Sequence, residues 1–211
     1  MNLVFPRLYA IIDPTLLNVS ELALAEALAG SGVKLIQYRN KTGSTRQFFD
    51  VSLELSRALA PRGVRFIVND RPDIALLTGA GGVHVGQDDL GVEEARTICG
   101  QDRWVGVSTH TLEQVSAADR TTADYIAFGP VFPTVTKQNP DAVVGTELLR
   151  RARKLTAKPL VAIGGITLER AAEVYRAGAD SLAVIRDLIC AANPGERAKE
   201  FLAVAASETS G

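Results

Sequence analysis

The sequence predicts a (β/α)8 barrel formed as one domain over residues 1–211, and three observations carry that prediction. Eight short, near-continuous apolar runs recur along the 211 residues, the pattern of parallel strands buried on both faces. Helix-like segments with recognisable start signals separate the runs. Polar residues and glycines gather just after the runs, at the strand ends where barrels of this kind hold their sites. An open doubly wound sheet is the alternative that the same alternation allows.

The runs are Leu8–Ile12, Val33–Tyr38, Arg65–Val68, Gly82–Val85, Trp104–Val107, Tyr125–Phe128, Leu160–Ile163 and Ser181–Ile185. Between them, Ser44 with Gln47 and Thr111 with Gln114 have the spacing of a capping box. Asn193-Pro194-Gly195-Glu196 opens the last helix in a similar way. Gly30, Gly32 and Gly178 fall where helices should stop. The tail Ala205–Gly211 is small and polar and is expected to fray.

Composition removes several classes of function. The formal net charge of −1 provides no basic excess for a nucleic-acid surface. Cys99 and Cys190 stand far apart in the chain, without the spacing of a metal site or a disulfide framework. No apolar run approaches the length of a membrane span. The start, MNLVFPRLYAIID, lacks the regions of a secretory signal. A cytosolic enzyme acting on small molecules, with no nucleic acid or membrane partner, is the reading that remains. The oligomeric state is left open, a homo-oligomer included.

The strand ends supply the chemistry. Strands three and four, joined by a short helix, should be parallel neighbours, so Asp70 and Asp89 emerge at one edge of the sheet. Two carboxylates there suit a hard cation such as Mg²⁺, although Asn69 and Asp70 before Pro72 also have the composition of a helix cap. Alternation along strand two places Gln37, Arg39 and Lys41 on one side, presenting an amide and two cations to an anion. His84, between two valines, reads as a packed and hydrogen-bonded barrel residue. Ser108-Thr109-His110 can serve a ligand or manage the start of the next helix. The connection from Gly129 to Asp141 is long for a compact domain, as lids and binding loops are. It offers the hydroxyls of Thr134 and Thr136 and the charge of Lys137 to phosphate. Gly164-Gly165 lets backbone N–H groups approach a phosphate after strand seven.

The segments LYAIID, QYRNK, VNDRPDIA, GVHVGQDD, VGVSTH, ADYIAFGPVFPTVTK and VAIGGI, in that order and spacing, resemble the thiamine-phosphate synthase family over nearly the whole chain. The resemblance implies a (β/α)8 barrel that joins a hydroxymethylpyrimidine diphosphate to a thiazole phosphate, releasing diphosphate and giving thiamine monophosphate. It implies that Gln37, Arg39, Lys41, Asn69, Ser108 and Lys137 contact the diphosphate substrate, with Arg39, Lys41 and Lys137 stabilising the leaving group. It implies Asp70 and Asp89 as Mg²⁺ ligands, and Thr134, Thr136, Gly165, Ile185 and Arg186 around the thiazole phosphate. Two residues depart from the family pattern. Tyr38 stands where Leu is usual, and Arg186 where many members have Ser. The thiazole tautomerases share the barrel and a Ser-x-His segment but lose the metal and diphosphate ligands. A non-catalytic barrel that binds thiamine precursors is the remaining alternative.

Overall fold

Eight strands pair in chain order, each parallel to the next, and the sheet closes on itself. The strands are β1 (Leu8–Ile12), β2 (Leu35–Tyr38), β3 (Arg65–Asn69), β4 (Gly82–Val85), β5 (Trp104–Thr109), β6 (Tyr125–Phe128), β7 (Leu160–Ile163) and β8 (Ser181–Val184). Closure runs through Leu8 opposite Leu182 and Ala10 opposite Val184. The computed structural model describes residues 5–134 and 142–208. The barrel is therefore closed, and the open-sheet alternative falls.

Strand ends differ from expectation where a neighbouring element claims the residue. Val33 is not in β2, because its N–H completes the stop of the preceding helix on Leu28 O at 3.1 Å. Ile185 leaves β8 to become the N-cap of a short helix. β3 and β5 run further than expected, to Asn69 and Thr109, which carries site residues out on regular backbone.

The helices are α1 (Glu21–Gly30), α2 (Thr45–Leu59), α3 (Pro72–Leu77), α4 (Val92–Cys99), α5 (Leu112–Asp119), α6 (Gly145–Arg153), α7 (Leu168–Arg176), α8 (Arg186–Ile189) and α9 (Pro194–Ser207). Their caps follow the sequence signals. Ser44 Oγ accepts from Gln47 N at 3.2 Å, Thr111 and Gln114 form a reciprocal capping box, and Asn193 Oδ1 accepts from Glu196 N at 3.1 Å. The expected frayed tail is corrected over residues 205–208. α9 continues through Ser207 with Ala205 buried, and Glu208 receives Arg176 at 2.5 and 3.0 Å. No helix among the described residues is long and apolar enough to cross a membrane.

Alternation divides the core in two. One set of side chains, including Tyr9, Leu35, Ile67, Trp104, Tyr125 and Val161, fills the barrel interior. Phe5 joins it by stacking on Trp104, with ring centroids 5.1 Å apart. The other set packs between strands and helices. Each fully buried Leu or Phe contributes about 2 kcal/mol.

The opposite end of the barrel from the strands' carboxyl ends carries a repeated clamp. Asp124, just before β6, accepts from Val105 N at 2.7 Å and from Arg96 of α4 at 2.5 Å. Asp180, just before β8, accepts from Leu160 N at 2.8 Å and from Arg153 of α6 at 2.5 Å. Each aspartate ties its own strand to the previous strand and to the helix that feeds that strand. The local sequences, Ala-Asp-Tyr-Ile-Ala and Ala-Asp-Ser-Leu-Ala, match this shared geometry.

Candidate active site

At the carboxyl ends of β2, β3 and β4 the sequence-predicted cations and acids meet. Lys41 Nζ donates to Asp70 Oδ2. Asp70 takes a left-handed backbone, φ 62°, the one non-glycine among the described residues with positive φ. Its N–H extends the β3–β4 pairing by donating to His84 O at 2.8 Å. Arg71, not Asp70, is the N-cap of α3, and no side chain caps that helix. The capping alternative for Asn69 and Asp70 therefore falls, and the Asp70 carboxylate faces its charged neighbours.

Burial, and the Asp89 carboxylate close by, push the Asp70 carboxyl above its ordinary range, while Lys41 pulls it down. A pair of acids held together in this way is relieved by a bound cation. Asp89 also takes Gly86 N on Oδ2 at 2.8 Å, which shapes the turn after β4. Among the described residues no cluster of three or more acidic, His or Cys side chains gathers. The two carboxylates are a donor set that fits Mg²⁺, a cation that commonly keeps water and substrate oxygens as its other ligands. Beside the pair lies a cavity of about 190 Å³ lined by Asn40, Lys41, Thr45, Asn69, Asp70 and Arg71 among others.

Arg39 points to a partner that sequence reading missed. Its Nη1 donates to Asp13 Oδ2 at 2.7 Å. Asp13 follows β1, is almost wholly buried, and also accepts from Thr15 N and Oγ1 at 3.1 and 2.6 Å. The signal was available, since an acid ends the first apolar run just as acids follow the third and fourth. Asp13 holds the guanidinium at the rim, and the turn Pro14–Leu16 holds Asp13.

Tyr38 lies behind the site, not in it. Alternation turns it outward, where it stacks on Phe48 of α2 at 5.2 Å. Its hydroxyl donates to Glu21 Oε1 at 3.3 Å and accepts from Asn40 Nδ2 at 3.1 Å. Burial pushes that phenol up to about 12. Asn40 Oδ1 in turn accepts from Thr42 N and Gly43 N at 3.0 and 2.8 Å, folding the loop that carries Lys41. The departure at Tyr38 thus braces a loop, which a Leu could do only by packing.

On β5, the Ser-Thr-His segment divides its labour. Ser108 Oγ meets His84 Nε2 at 2.8 Å, and its carbonyl accepts from Gln87 Nε2 at 2.6 Å. Thr109 Oγ1 donates to Ala127 O at 2.8 Å, and His110 engages Gly129 O and the Gln114 side chain. Thr109 and His110 therefore serve the strand and the start of α5, and Ser108 stands at the rim. His84 is packed and hydrogen-bonded, as expected. Gln37, on β2, points into the barrel and donates to Tyr9 OH at 2.6 Å.

The second half of the rim is built around two glycines. After β6 the chain doubles over the end of β7, with Val131 N on Ile163 O at 2.8 Å and Phe132 N on Gly164 O at 3.0 Å. Gly164 and Gly165 have φ of 98° and 62°. A Cβ on Gly164 would stand 2.4 Å from Pro130 Cβ, and one on Gly165 would stand 2.4 Å from Pro133 O. These glycines permit residues 130–133 to lie against the turn. Arg170 of α7 fastens the arrangement, donating to Gly165 O at 2.8 Å and covering the Phe132 ring at 4.5 Å. Thr134 ends this described segment; Thr136 and Lys137 lie outside the described residues. Ile185 and exposed Arg186 follow β8, beside the β7 end. Asp187 ties α8 to α7 and α9 through Leu168 N and Arg197, both at 3.0 Å.

Comparison with known proteins places nearly the whole chain among relatives of one kind. The family model described as thiamine monophosphate synthase matches residues 8–188. The thiamine-phosphate synthase of Koribacter versatilis is 51% identical, covering 96% of this chain and 97% of that protein. The thiamine-phosphate synthase of Chloroflexus aurantiacus is 43% identical over 94% of this chain and 92% of its own. Among solved structures, the thiamine phosphate pyrophosphorylase of Pyrococcus furiosus superposes with a TM-score of 0.87 at 31% identity, covering 96% of both chains.

Proposed function

The chain belongs to the thiamine monophosphate synthase family, and from that premise we propose that it joins a hydroxymethylpyrimidine diphosphate to a thiazole phosphate, giving thiamine monophosphate and diphosphate. The observation that carries this reading to the chain's own residues is the meeting of Asp70, Asp89 and Lys41 at the ends of adjacent strands, with Arg39 held on Asp13 just after β2. Such a rim suits a diphosphate brought with its metal.

The reaction is a dissociative substitution. Diphosphate leaves the pyrimidine methylene, and the electron-rich ring stabilises the cation that develops. The thiazole nitrogen then forms the new bond. The protein supplies no nucleophile; it positions both substrates and stabilises charge on the leaving group. Asp70 and Asp89 would hold Mg²⁺, whose positive charge, when bound, favours diphosphate departure. Arg39, anchored by Asp13, and Lys41 present fixed cations to the diphosphate, with Lys137 as a third. Gln37, Asn69 and Ser108 orient the pyrimidine diphosphate. Thr134, Thr136, Gly165, Ile185 and Arg186 take the thiazole phosphate, and Arg186 brings a charge where many relatives have serine. The reading includes a cytoplasmic location.

A turnover assay with both substrates tests this. Thiamine monophosphate and diphosphate should appear in equal amounts and only with Mg²⁺. Binding of both substrates without diphosphate release would reduce the protein to a precursor-binding barrel. Isomerisation of a thiazole without diphosphate release would make it a tautomerase.

A further inference from the structure

We propose that Tyr125 and His84 are positioning residues for the reaction, holding the Ser108 hydroxyl as a donor aimed at the pyrimidine diphosphate. A file of hydrogen bonds crosses the barrel interior from Gln37 to Ser108 at the rim. Gln37 Nε2 donates to Tyr9 OH at 2.6 Å, and Tyr9 OH meets Tyr125 OH at 2.9 Å. Tyr125 OH meets His84 Nδ1 at 3.0 Å, and His84 Nε2 meets Ser108 Oγ at 2.8 Å. Gln37, Tyr9, Tyr125 and His84 are all buried. Both ends of the file, Gln37 and Ser108, are residues that the proposed function assigns to substrate, so the inference rests on that reading.

The file has a direction. The Gln37 amide nitrogen can only donate, so Tyr9 oxygen accepts, and its own proton goes to Tyr125. In the opposite order the Tyr9 proton would face the buried interior without one of the acceptors found among the described residues, a costly arrangement. Tyr125 therefore donates to His84 Nδ1, which leaves the imidazole proton on Nε2, directed at Ser108 Oγ. The Ser108 proton is then free to point outward. Burial raises the pKa of both tyrosines, so both hydroxyls keep their protons.

The barrel makes room for this file. A Cβ at Gly106 of β5 would lie 2.0 Å from Tyr125 Cζ and 2.4 Å from its hydroxyl oxygen. The ring occupies the space of the missing side chain and stacks against His84 at 5.5 Å. A donor whose direction is preset meets an acceptor on the substrate without reorganising, so its effect falls on the transition state.

The test is steady-state kinetics with Mg²⁺ on Tyr125→Phe, Ser108→Ala and the double variant, with thermal unfolding of each. Tyr125→Phe keeps the ring that packs on Phe5 and Trp104. It should lower kcat about tenfold, the scale of a lost supporting hydrogen bond, with the KM for thiazole phosphate unchanged. The double variant should be no slower than Ser108→Ala alone. His84→Gln, which keeps a donor near the Nε2 position, should retain more activity than His84→Leu. Losses that multiply in the double variant would overturn the proposal, as would a lowered Tm with unchanged kcat in Tyr125→Phe. If Ser108→Ala turned over at the unaltered rate, the placement of Ser108 at the substrate would fall with it. That result is distinct from multiplying losses, which would leave the active-site reading intact.

Discussion

Asp70 carries a backbone role and a charge role, and two substitutions separate them. Its φ of 62° suits Asp, Asn or Gly, and an Ala there costs about 1 kcal/mol. Asp70→Asn should therefore fold with a near-normal Tm yet lose most Mg²⁺-dependent turnover, while Asp70→Ala should lose both. An Asn variant with near-normal turnover would show that the metal is held elsewhere. The two phosphate groups make a second contrast at this scale. Charge grows on the leaving diphosphate only as its bond breaks, so Lys137→Ala should lower kcat by about a hundredfold, the scale for one preorganised electrostatic contact. The thiazole phosphate keeps its charge throughout, so Thr134→Ala should act mainly on KM for that substrate. Varying each substrate in turn measures both effects. A rise only in the thiazole-phosphate KM for Lys137→Ala would remove it from the leaving group.

The two ends of the barrel should respond differently when single elements are disturbed, because one end holds the strands together and the other holds the ligands. Asp124 before β6 receives Arg96, whose side chain is almost wholly buried. Asp124→Ala leaves that cation without its counter-charge and should cost about 2 kcal/mol, below the usual value for a buried pair because Asp124 is partly open to water. Chemical denaturation should show the loss, with kcat at low temperature unchanged. Gly164→Ala is the converse. Its Cβ would collide with Pro130, so residues 130–133 must move off the β7 turn. Activity should fall, chiefly through the KM for thiazole phosphate, by a larger factor than stability changes would explain. Unaltered kinetics in Gly164→Ala would show that this contact does not shape the site.

At the scale of the whole molecule, the depth of the core predicts behaviour in alkali. All four tyrosines, Tyr9, Tyr38, Tyr125 and Tyr175, have their pKa raised by burial, Tyr38 to about 12 against an ordinary 10.0. An unfolded phenol ionises near its ordinary value while the folded one does not. Stability is therefore full below about pH 10 and declines as pH rises beyond it, Tyr38 ceasing to contribute to the decline above its folded value. Phenolate absorbance should stay low through the ordinary range and then appear together with unfolding in one cooperative step. A gradual titration with the near-ultraviolet circular dichroism intact would mean that water reaches the phenols. The same core explains what was legible beforehand. Eight apolar runs, the caps at Ser44, Thr111 and Asn193, and the acids after strands three and four depend on local periodicity and short-range hydrogen bonds, so the sequence alone determined the element order and the likeness to one family, while closure of the sheet excluded the open alternative. Other features join residues far apart in the chain, and no local pattern encodes them. Only the closed barrel set Asp13 against Arg39, and only packing of the first helix on the barrel set Glu21 against the Tyr38 hydroxyl. Only closure gave Gly164 and Gly165 to the segment after β6, and brought Tyr9, Tyr125 and His84, from three different strands, within hydrogen-bonding distance of one another.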